Sequence, residues 1–414
     1  MDYDGALSYL KGFEKLGYRF RLENTRELLE SLGFDFAGDV VHVAGTNGKG
    51  SCAAALSVIL QKSGRRVGLY TSPELIDFTE RIRVNGRQIK KREFARRTAE
   101  LKPLIDSMED KPTFFEATTA LALKHFADSE VDTMVLEVGM GGRLDSTNAI
   151  PSKLSIITNV QLDHMQYLGN TVEAIAHEKA GIIREGSTVV TGAEGGALHV
   201  LEKECKLKAA SILRIGSELK VSDTSTSLRG TSFKLKTPQN SYFLHSPMRG
   251  KYQALNISCA AAAAEKLGVR KKDIVSGVSD ATWPGRLDVV QKNPMVILDC
   301  AHNPAGIAES HSFIKRTPHN HLIVVAGFSK DKDYSKMIET LLDADLFIAT
   351  EYQGERSLKA AEILRHVKGV PSSSAKEAVK QALKVAGKGD IIFVAGSIYV
   401  IGVAMLIWKK RIDF

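Results

Sequence analysis

The chain has 414 residues, 43% apolar and 25% charged, enough for two or three domains with large cores. Its formal charge of +8 is spread along the chain without aromatic interleaving, which points to small anionic ligands and away from nucleic acid. Cys52, Cys205, Cys259 and Cys300 form no C-x-x-C pair, the N-terminus is acidic, and no apolar run reaches the ~18 residues of a membrane span. A zinc cluster, a disulfide framework, a secretory leader and a membrane anchor are therefore not expected, and a cytoplasmic protein with reduced thiols is.

Residues 40–44 read as a strand emptying into Gly45-Thr46-Asn47-Gly48-Lys49-Gly50-Ser51, with a helix from Ser51. The glycines let backbone amides approach phosphate oxygens, Lys49 adds a point charge, and Ser51 offers a hydroxyl to Mg2+. The loop departs from G-x-x-x-x-G-K-[ST]: Val43 stands where the first glycine belongs and Gly50 where the hydroxyl residue belongs. It is a variant loop for a nucleoside triphosphate. A strand at 66–71, helices at 92–110 and 113–127, strands at 133–138 and 154–160, a helix from 171 and a strand at 187–191 follow. Such alternation predicts a parallel sheet with helices on both faces and ligands beyond the carboxyl ends of the strands. Residues 211–246 turn polar and predict a small antiparallel patch, and an alanine-rich helix at 256–267 closes a first domain over 1–282. Trp283-Pro284-Gly285-Arg286 breaks helical periodicity, so 283–290 read as a linker. Strands at 295–299, 322–327, 346–350 and 390–395 then predict a second domain over 291–414, with 398–408 as a buried terminal element. The expected fold class is α/β: a P-loop-containing, mostly parallel sheet domain followed by a smaller Rossmann-like α/β domain, with the site in the cleft between them.

Several strand ends carry chemistry. Glu137 precedes Gly139-Met140-Gly141-Gly142-Arg143-Leu144-Asp145, and a carboxylate there reaches a metal bound to phosphate. His164 ends the next strand, either as a neutral metal-ligating imidazole or as an ordinary hydrogen-bonded histidine. Ser72, before Pro73, offers a hydroxyl ligand or simply a turn. Lys179, at a helix end, is normally a solvated charge; facing a metal it makes sense only neutralised or converted by CO2 to a carbamate. Asp299 and His302 follow a strand of the second domain, and Arg286 can reach a transferring phosphoryl group as a bidentate donor.

Together these segments resemble the folylpolyglutamate synthase and dihydrofolate synthase family, a branch of the Mur ligase superfamily. The resemblance rests on GTNGKGS at 45–51, YTSPEL at 70–75, FTERIRVNG at 78–86, TFFEATTALAL at 113–123, LEVGMGGRLDSTN at 136–148, TNVQLDHMQYLG at 158–169, HEKAGI at 177–182, WPGRL at 283–287, LDCAHNP at 298–304 and AGSIYV at 395–400. It implies an ATP-dependent ligase that phosphorylates the carboxylate of a pterin-containing acid and joins it to the amine of L-glutamate. By the same resemblance Asn47, Gly48, Lys49, Gly50 and Ser51 hold ATP together with Asn256, Arg286 and Asp299. Ser72, Glu137 and His164 would ligate Mg2+, and Lys179 would carry a carbamate. Thr113, Phe114, Phe115, Glu116, Leu144, Asp145 and Ser146 would contact the pterin, and His302 and Ser397 the incoming glutamate. His302 is also the candidate base for the amine. One departure is Glu74, where the family commonly has histidine in the segment Ser72-Pro73-Glu74.

The expected partners are small molecules, with no nucleic acid or membrane, and a monomer is expected because no amphipathic helix asks for a partner. Two alternatives remain. A Mur-type muropeptide ligase is disfavoured because the P-loop begins only 45 residues in. A P-loop NTPase switch leaves Arg286 and LDCAHNP without a role.

Overall fold

The computed structural model describes residues 1–408. Eight strands build the first sheet: β1 (Asp39–Ala44), β2 (Val67–Tyr70), β3 (Ile82–Val84), β4 (Arg87–Gln88), β5 (Thr133–Glu137), β6 (Leu154–Ile157), β7 (Thr188–Thr191) and β8 (Ser211–Arg214). Their order is β4-β3-β2-β5-β1-β6-β7-β8. The pairings along β2-β5-β1-β6-β7-β8 are all parallel, and at one edge β3 pairs antiparallel with both β2 and β4. β1 and β5 are central and almost wholly buried, which explains why they read as continuous apolar runs.

Helices cover both faces. On one, Lys49–Lys62, Tyr252–Lys266 and Lys271–Asp280 pack with a three-stranded antiparallel sheet of β9 (Lys220–Ser227), β10 (Gly230–Lys236) and β11 (Ser241–Ser246). On the other, Tyr3–Lys11, Glu23–Ser31, Lys91–Ser107 and Phe114–Asp128 enclose a second core. Thr113 starts the last of these with a capping box, its hydroxyl accepting from the Glu116 amide while Glu116 accepts from the Thr113 amide.

The second sheet contains β12 (Asp288–Lys292), β13 (Met295–Leu298), β14 (Leu322–Ala326), β15 (Leu346–Ala349), β16 (Val370–Pro371) and β17 (Ile391–Ala395), ordered β12-β13-β17-β14-β15-β16. It is parallel except for β12 on β13 and has a core on each face. The buried terminal element expected at 398–408 is shorter than that: the helix Ile398–Met405 buries Val400, Ile401, Ala404 and Met405, while the turn Leu406–Trp408 after it has no buried residue. No described helix is long and apolar enough to cross a membrane.

The α/β class and both sheets match the expectation, with local corrections. β8 is the parallel edge of the large sheet, so the antiparallel patch covers 220–246 and not 211–246. The alanine-rich helix begins at Tyr252, and a further helix, Lys271–Asp280, follows it. β12 starts within the stretch read as linker, because Asp288 and Val289 pair with Leu298 and Ile297.

Candidate active site between the two sheets

The phosphate loop leaves β1 and becomes the helix Lys49–Lys62 through Gly48, whose φ of 83° is left-handed. A Cβ at Gly48 would lie 2.2 Å from Asn256 Oδ1, and one at Gly50 would lie 2.9 Å from Trp283 Nε1. Glycine at these positions therefore admits Asn256 from one helix and Trp283 from the inter-sheet segment. Lys49 Nζ donates to the loop's own carbonyls, Gly45 at 3.1 Å and Thr46 at 3.3 Å. Ser51 Oγ accepts from Gln253 at 3.4 Å, and Gln253 accepts from Asn256 at 3.0 Å.

Glu137 ends β5 beside this loop. Its Oε2 accepts from the Ser72 amide at 3.1 Å, and burial raises its pKa against the opposing charges of Lys49 and Arg286. Ser72, Glu137, Gly50, Trp283 and Arg286 line one pocket with Glu74 and Cys300. Glu74 is ion-paired there with Arg81 at 2.5 Å, and Arg81 lies over the rings of Phe78 and Phe114. His164 follows β6 in a left-handed conformation, φ 50°, and caps the short helix Met165–Leu168. Burial, with Lys332, Lys49 and Lys179 nearby, lowers its pKa to about 4, so its imidazole is neutral at pH 7.

A carboxylate, a hydroxyl and a neutral imidazole form a donor set suited to a hard divalent cation. Among the described residues no three His, Cys, Asp or Glu side chains converge on one point. A cation held by Glu137, Ser72 and His164 would fill its shell with phosphate and water oxygens, which is the ordinary habit of Mg2+.

Lys179 is buried in the last turn of the helix Val172–Ala180, where its Nζ donates to the Gly45 carbonyl at 3.0 Å. Gly45 therefore takes bonds from two lysines. Burial, then the charge of Lys49, pushes the Lys179 pKa from 10.5 down to about 7. The amine is thus about half neutral at pH 7.

The second domain meets this loop through the turn after β13. Asp299 is buried and accepts from the Leu287 and Ala301 amides, both at 2.7 Å, while Arg286 offsets the burial that raises its pKa. Cys300 N–H donates to the Gly285 carbonyl at 2.8 Å. These bonds stitch 285–287 to the end of β13 and hold Arg286 between Asp299 and Glu137, both of which act on its charge. His302 Nδ1 donates to the Cys300 carbonyl at 2.9 Å, leaving Nε2 as the free lone pair, and burial lowers its pKa to about 4. Ser397 caps the helix Ile398–Met405 after β17.

Two contacts crossing the cleft were not singled out in the sequence. Asn303 Nδ2 donates to Asn47 Oδ1 at 2.9 Å, while Asn303 Oδ1 accepts from the Gly306 amide as a helix cap. Lys332 pairs with Asp163 at 2.5 Å, both side chains nearly buried. Asn-Pro before a helix was a readable cap signal at Asn303; no local pattern marks Lys332.

The residues expected at the pterin divide. Phe115 and Asp145 come together at Gly139, where a Cβ would lie 2.7 Å from Phe115 Cζ and 3.2 Å from Asp145 Oδ2. Asp145 is committed to its own turn, accepting from the Met140 and Thr147 amides at 2.9 and 3.0 Å and from the Thr147 hydroxyl at 2.6 Å. Thr113, Glu116 and Ser146 are buried, whereas Phe114 and Leu144 are half-exposed. Arg21 Nε approaches Glu116 Oε1 at 3.7 Å, a neighbour the sequence did not suggest.

Known proteins resemble the chain over both domains. The Mur ligase middle domain matches residues 43–264, and the Mur ligase glutamate ligase domain matches 285–398. Dihydrofolate synthase/folylpolyglutamate synthase of Bacillus subtilis is 34% identical over 96% of this chain and 97% of its own length. A probable bifunctional folylpolyglutamate synthase/dihydropteroate synthase of Haloferax volcanii is 34% identical over the whole chain, which spans 51% of that relative. E. coli FolC in complex with DHPP and ADP superposes with a TM-score of 0.92 at 30% identity, covering 99% of this chain and 98% of that one. A bifunctional folylpolyglutamate synthase/dihydrofolate synthase with Mn, AMPPNP and L-glutamate bound gives 0.90 at 29% identity, with coverage of 99% and 98%. The chain belongs to the folylpolyglutamate synthase/dihydrofolate synthase family of Mur ligases.

Proposed function

We infer that this chain is an ATP-dependent carboxylate–amine ligase of the cytosol that joins L-glutamate to dihydropteroate, to folates, or to both, releasing ADP and phosphate. The observation that carries the reading is the bond from Asn303 to Asn47, which sets the loop bearing Asp299 and His302 against the phosphate loop. Four free, buried cysteines support the reducing compartment.

A carboxylate is a poor electrophile until its oxygen becomes a leaving group. Transfer of the γ-phosphoryl group to the acceptor carboxylate makes an acyl phosphate; the glutamate amine then attacks the carbonyl carbon, phosphate leaves, and the amine gives up a proton. The amides of Gly48 to Ser51 and Lys49 would hold the phosphates from one side, and Arg286 would stabilise the transferring group from the other. Glu137, Ser72 and His164 would hold Mg2+, whose charge offsets that of the phosphates. Lys179, with half its amine neutral at pH 7, is suited to react with CO2, and a carbamate there would place an anion beside the phosphate loop. Asn256 would pack the loop against the nucleotide. The contacts crossing the cleft would keep water from the acyl phosphate. A histidine with a pKa of about 4 is a weak base, so His302 would orient the amine as a hydrogen-bond acceptor at Nε2, with Ser397 nearby at its helix cap.

The test is ADP release with ATP, Mg2+ and L-glutamate, run with dihydropteroate, with tetrahydrofolate, and with neither. Release that requires both glutamate and a pterin acid is expected. Release independent of any acceptor would replace this reading with an NTPase switch.

A further inference from the structure

Aromatic side chains from both domains gather at the rim of the cleft, outside the residues used so far. Tyr18 and Phe20 precede the helix Glu23–Ser31, and Tyr167 lies on Met165–Leu168. Ring centroids are 5.3 Å apart for Tyr18 and Tyr167 and 5.9 Å for Phe20 and Tyr167. All three rings are exposed, by 55%, 39% and 42%. On the second domain Tyr399 stacks on Tyr352 at 4.9 Å, and Arg356 donates to the Tyr399 hydroxyl at 2.9 Å. Arg356 and Tyr399 lie close enough to Tyr18 to act on it electrostatically, so the two groups form one rim.

Arg356 is an exposed residue whose guanidinium lies over the Tyr399 ring at 5.9 Å. Among the described residues its hydrogen bond goes to a neutral phenol, and Asp331 acts on it only from a distance. A solvent-facing cation beside open aromatic faces suits an aryl ring bonded to an anionic tail. Position narrows the occupant. The Tyr18–Phe20 segment is fastened to the loop before Thr113 by Arg19, which donates to Asp110 Oδ1 at 2.6 Å and to the Lys111 carbonyl at 3.3 Å. Tyr399 lies two residues after Ser397. The rim therefore runs from the segment expected at the pterin to the helix cap expected at the incoming glutamate. Ile398, the neighbour of Tyr399, lines the pocket that holds Arg286, and Tyr399 acts on the charge of Arg81, which lies over Phe114, so the rim borders both the segment expected at the pterin and the reacting end of the cleft.

We propose that Tyr18, Phe20, Tyr167, Tyr399 and Arg356 form a subsite for the middle and tail of the acceptor, the aromatic faces taking its aryl ring and Arg356 a carboxylate of glutamyl residues already attached. This rests on the ligase reading above. The subsite discriminates acceptors by their tails: one that ends at the aryl carboxylate has nothing for Arg356. The incoming glutamate is a poorer fit for Arg356, because Ser397, the side chain expected to meet it, is buried and Arg356 is on the outer rim.

The experiment is equilibrium binding of pteroate, pteroylmonoglutamate and pteroyltriglutamate to the full chain, alongside KM values for dihydropteroate, tetrahydrofolate and L-glutamate. Arg356→Ala is expected to weaken pteroyltriglutamate about tenfold, the loss of one charge-assisted pair, with pteroate unchanged within about twofold. Arg356→Lys should recover part of the loss. Tyr18→Ala should weaken all three ligands alike through the ring. Equal effects of Arg356→Ala on pteroate and pteroyltriglutamate, no effect on either, or a rise confined to the KM for L-glutamate would each overturn the proposal. Failure of the wild type to release ADP with any pterin acid removes the ligase reading. Normal wild-type turnover with an unchanged tail preference in Arg356→Ala removes only the subsite.

Discussion

Replacing Lys179 with Met should make the protein more stable and less active at once. The folded-state pKa of this lysine is about 7 against 10.5 in the unfolded chain, because burial and the neighbouring Lys49 disfavour its charge. Between these two values the unfolded chain binds more protons, so the wild type gains stability as pH rises from 7 towards 10. Below pH 7 both states hold the proton and the cost of burying the charge is fully present. A fall of this size, at ~1.4 kcal/mol for each pH unit, sets a ceiling of about 5 kcal/mol. Losing the bond to the Gly45 carbonyl takes back about 1 kcal/mol. Lys179→Met should therefore be more stable than the wild type by about 2–4 kcal/mol at pH 6, with the gap closing by pH 9.5. Urea unfolding of both proteins at the two pH values, in buffer freed of CO2, reads this directly. Ligase turnover should fall at least about a hundredfold in the variant, and only the wild type should respond to added bicarbonate. A variant less stable than the wild type at pH 6, or a gap that does not change with pH, would refute the reasoning.

Two further substitutions separate roles that one side chain combines. Asn303→Ala removes both a helix cap and the bond to Asn47, each worth about 1 kcal/mol, whereas Asn303→Asp keeps the cap acceptor and removes only the donor. Both variants should lose about tenfold in kcat and both should lose thermal stability, since each gives up the bond to Asn47; wild-type turnover by Asn303→Asp would show that the cross-domain bond does not matter to catalysis. Glu74→Gln leaves Arg81 without its partner, and since both side chains keep some exposure the cost in urea unfolding should be about 2 kcal/mol, short of a fully buried pair. Because Arg81 already engages the Glu74 carboxylate, the preference between dihydropteroate and tetrahydrofolate should stay within about twofold of wild type, and a larger change would place Glu74 against the substrate.

The sheets were legible because their central strands are buried on both faces and read as uninterrupted apolar runs, as at 40–44 and 133–138. The helices Tyr3–Lys11 and Glu23–Ser31 were not, since each shows the core only a few residues, Ala6 and Leu10 in the first and Leu28 and Leu29 among the buried positions of the second. β8 was misplaced because an edge strand of four residues with only Leu213 buried resembles the polar patch that follows it. At the site, residue types announced the phosphate loop and the strand-end acids. They could not announce that Asp145 and Asp299 turn their carboxylates on backbone amides of their own turns, nor that Asn303 meets Asn47 across 256 residues of chain. Long-range pairing of this kind has no local spacing to betray it.

The charges around the cleft bear on why Lys179 should be buried at so high a cost. Lys49, Lys179, Arg286 and Lys332 face Glu137, Asp163 and Asp299, with Lys332 and Asp163 already paired. Two ammonium groups sharing the Gly45 carbonyl favour the phosphates of ATP but oppose a divalent cation brought with them. A carbamate on Lys179 would reverse one of these charges and leave the pair neutral overall, reconciling phosphate and cation in one loop. Carbamate formation requires the free amine. A lysine with the ordinary pKa of 10.5 offers that form about a thousandfold less often at pH 7 than one whose pKa is about 7. The burial that destabilises the charged lysine is thus the same burial that would make it reactive, so stability and activity are expected to part company at this residue more sharply than anywhere else in the cleft.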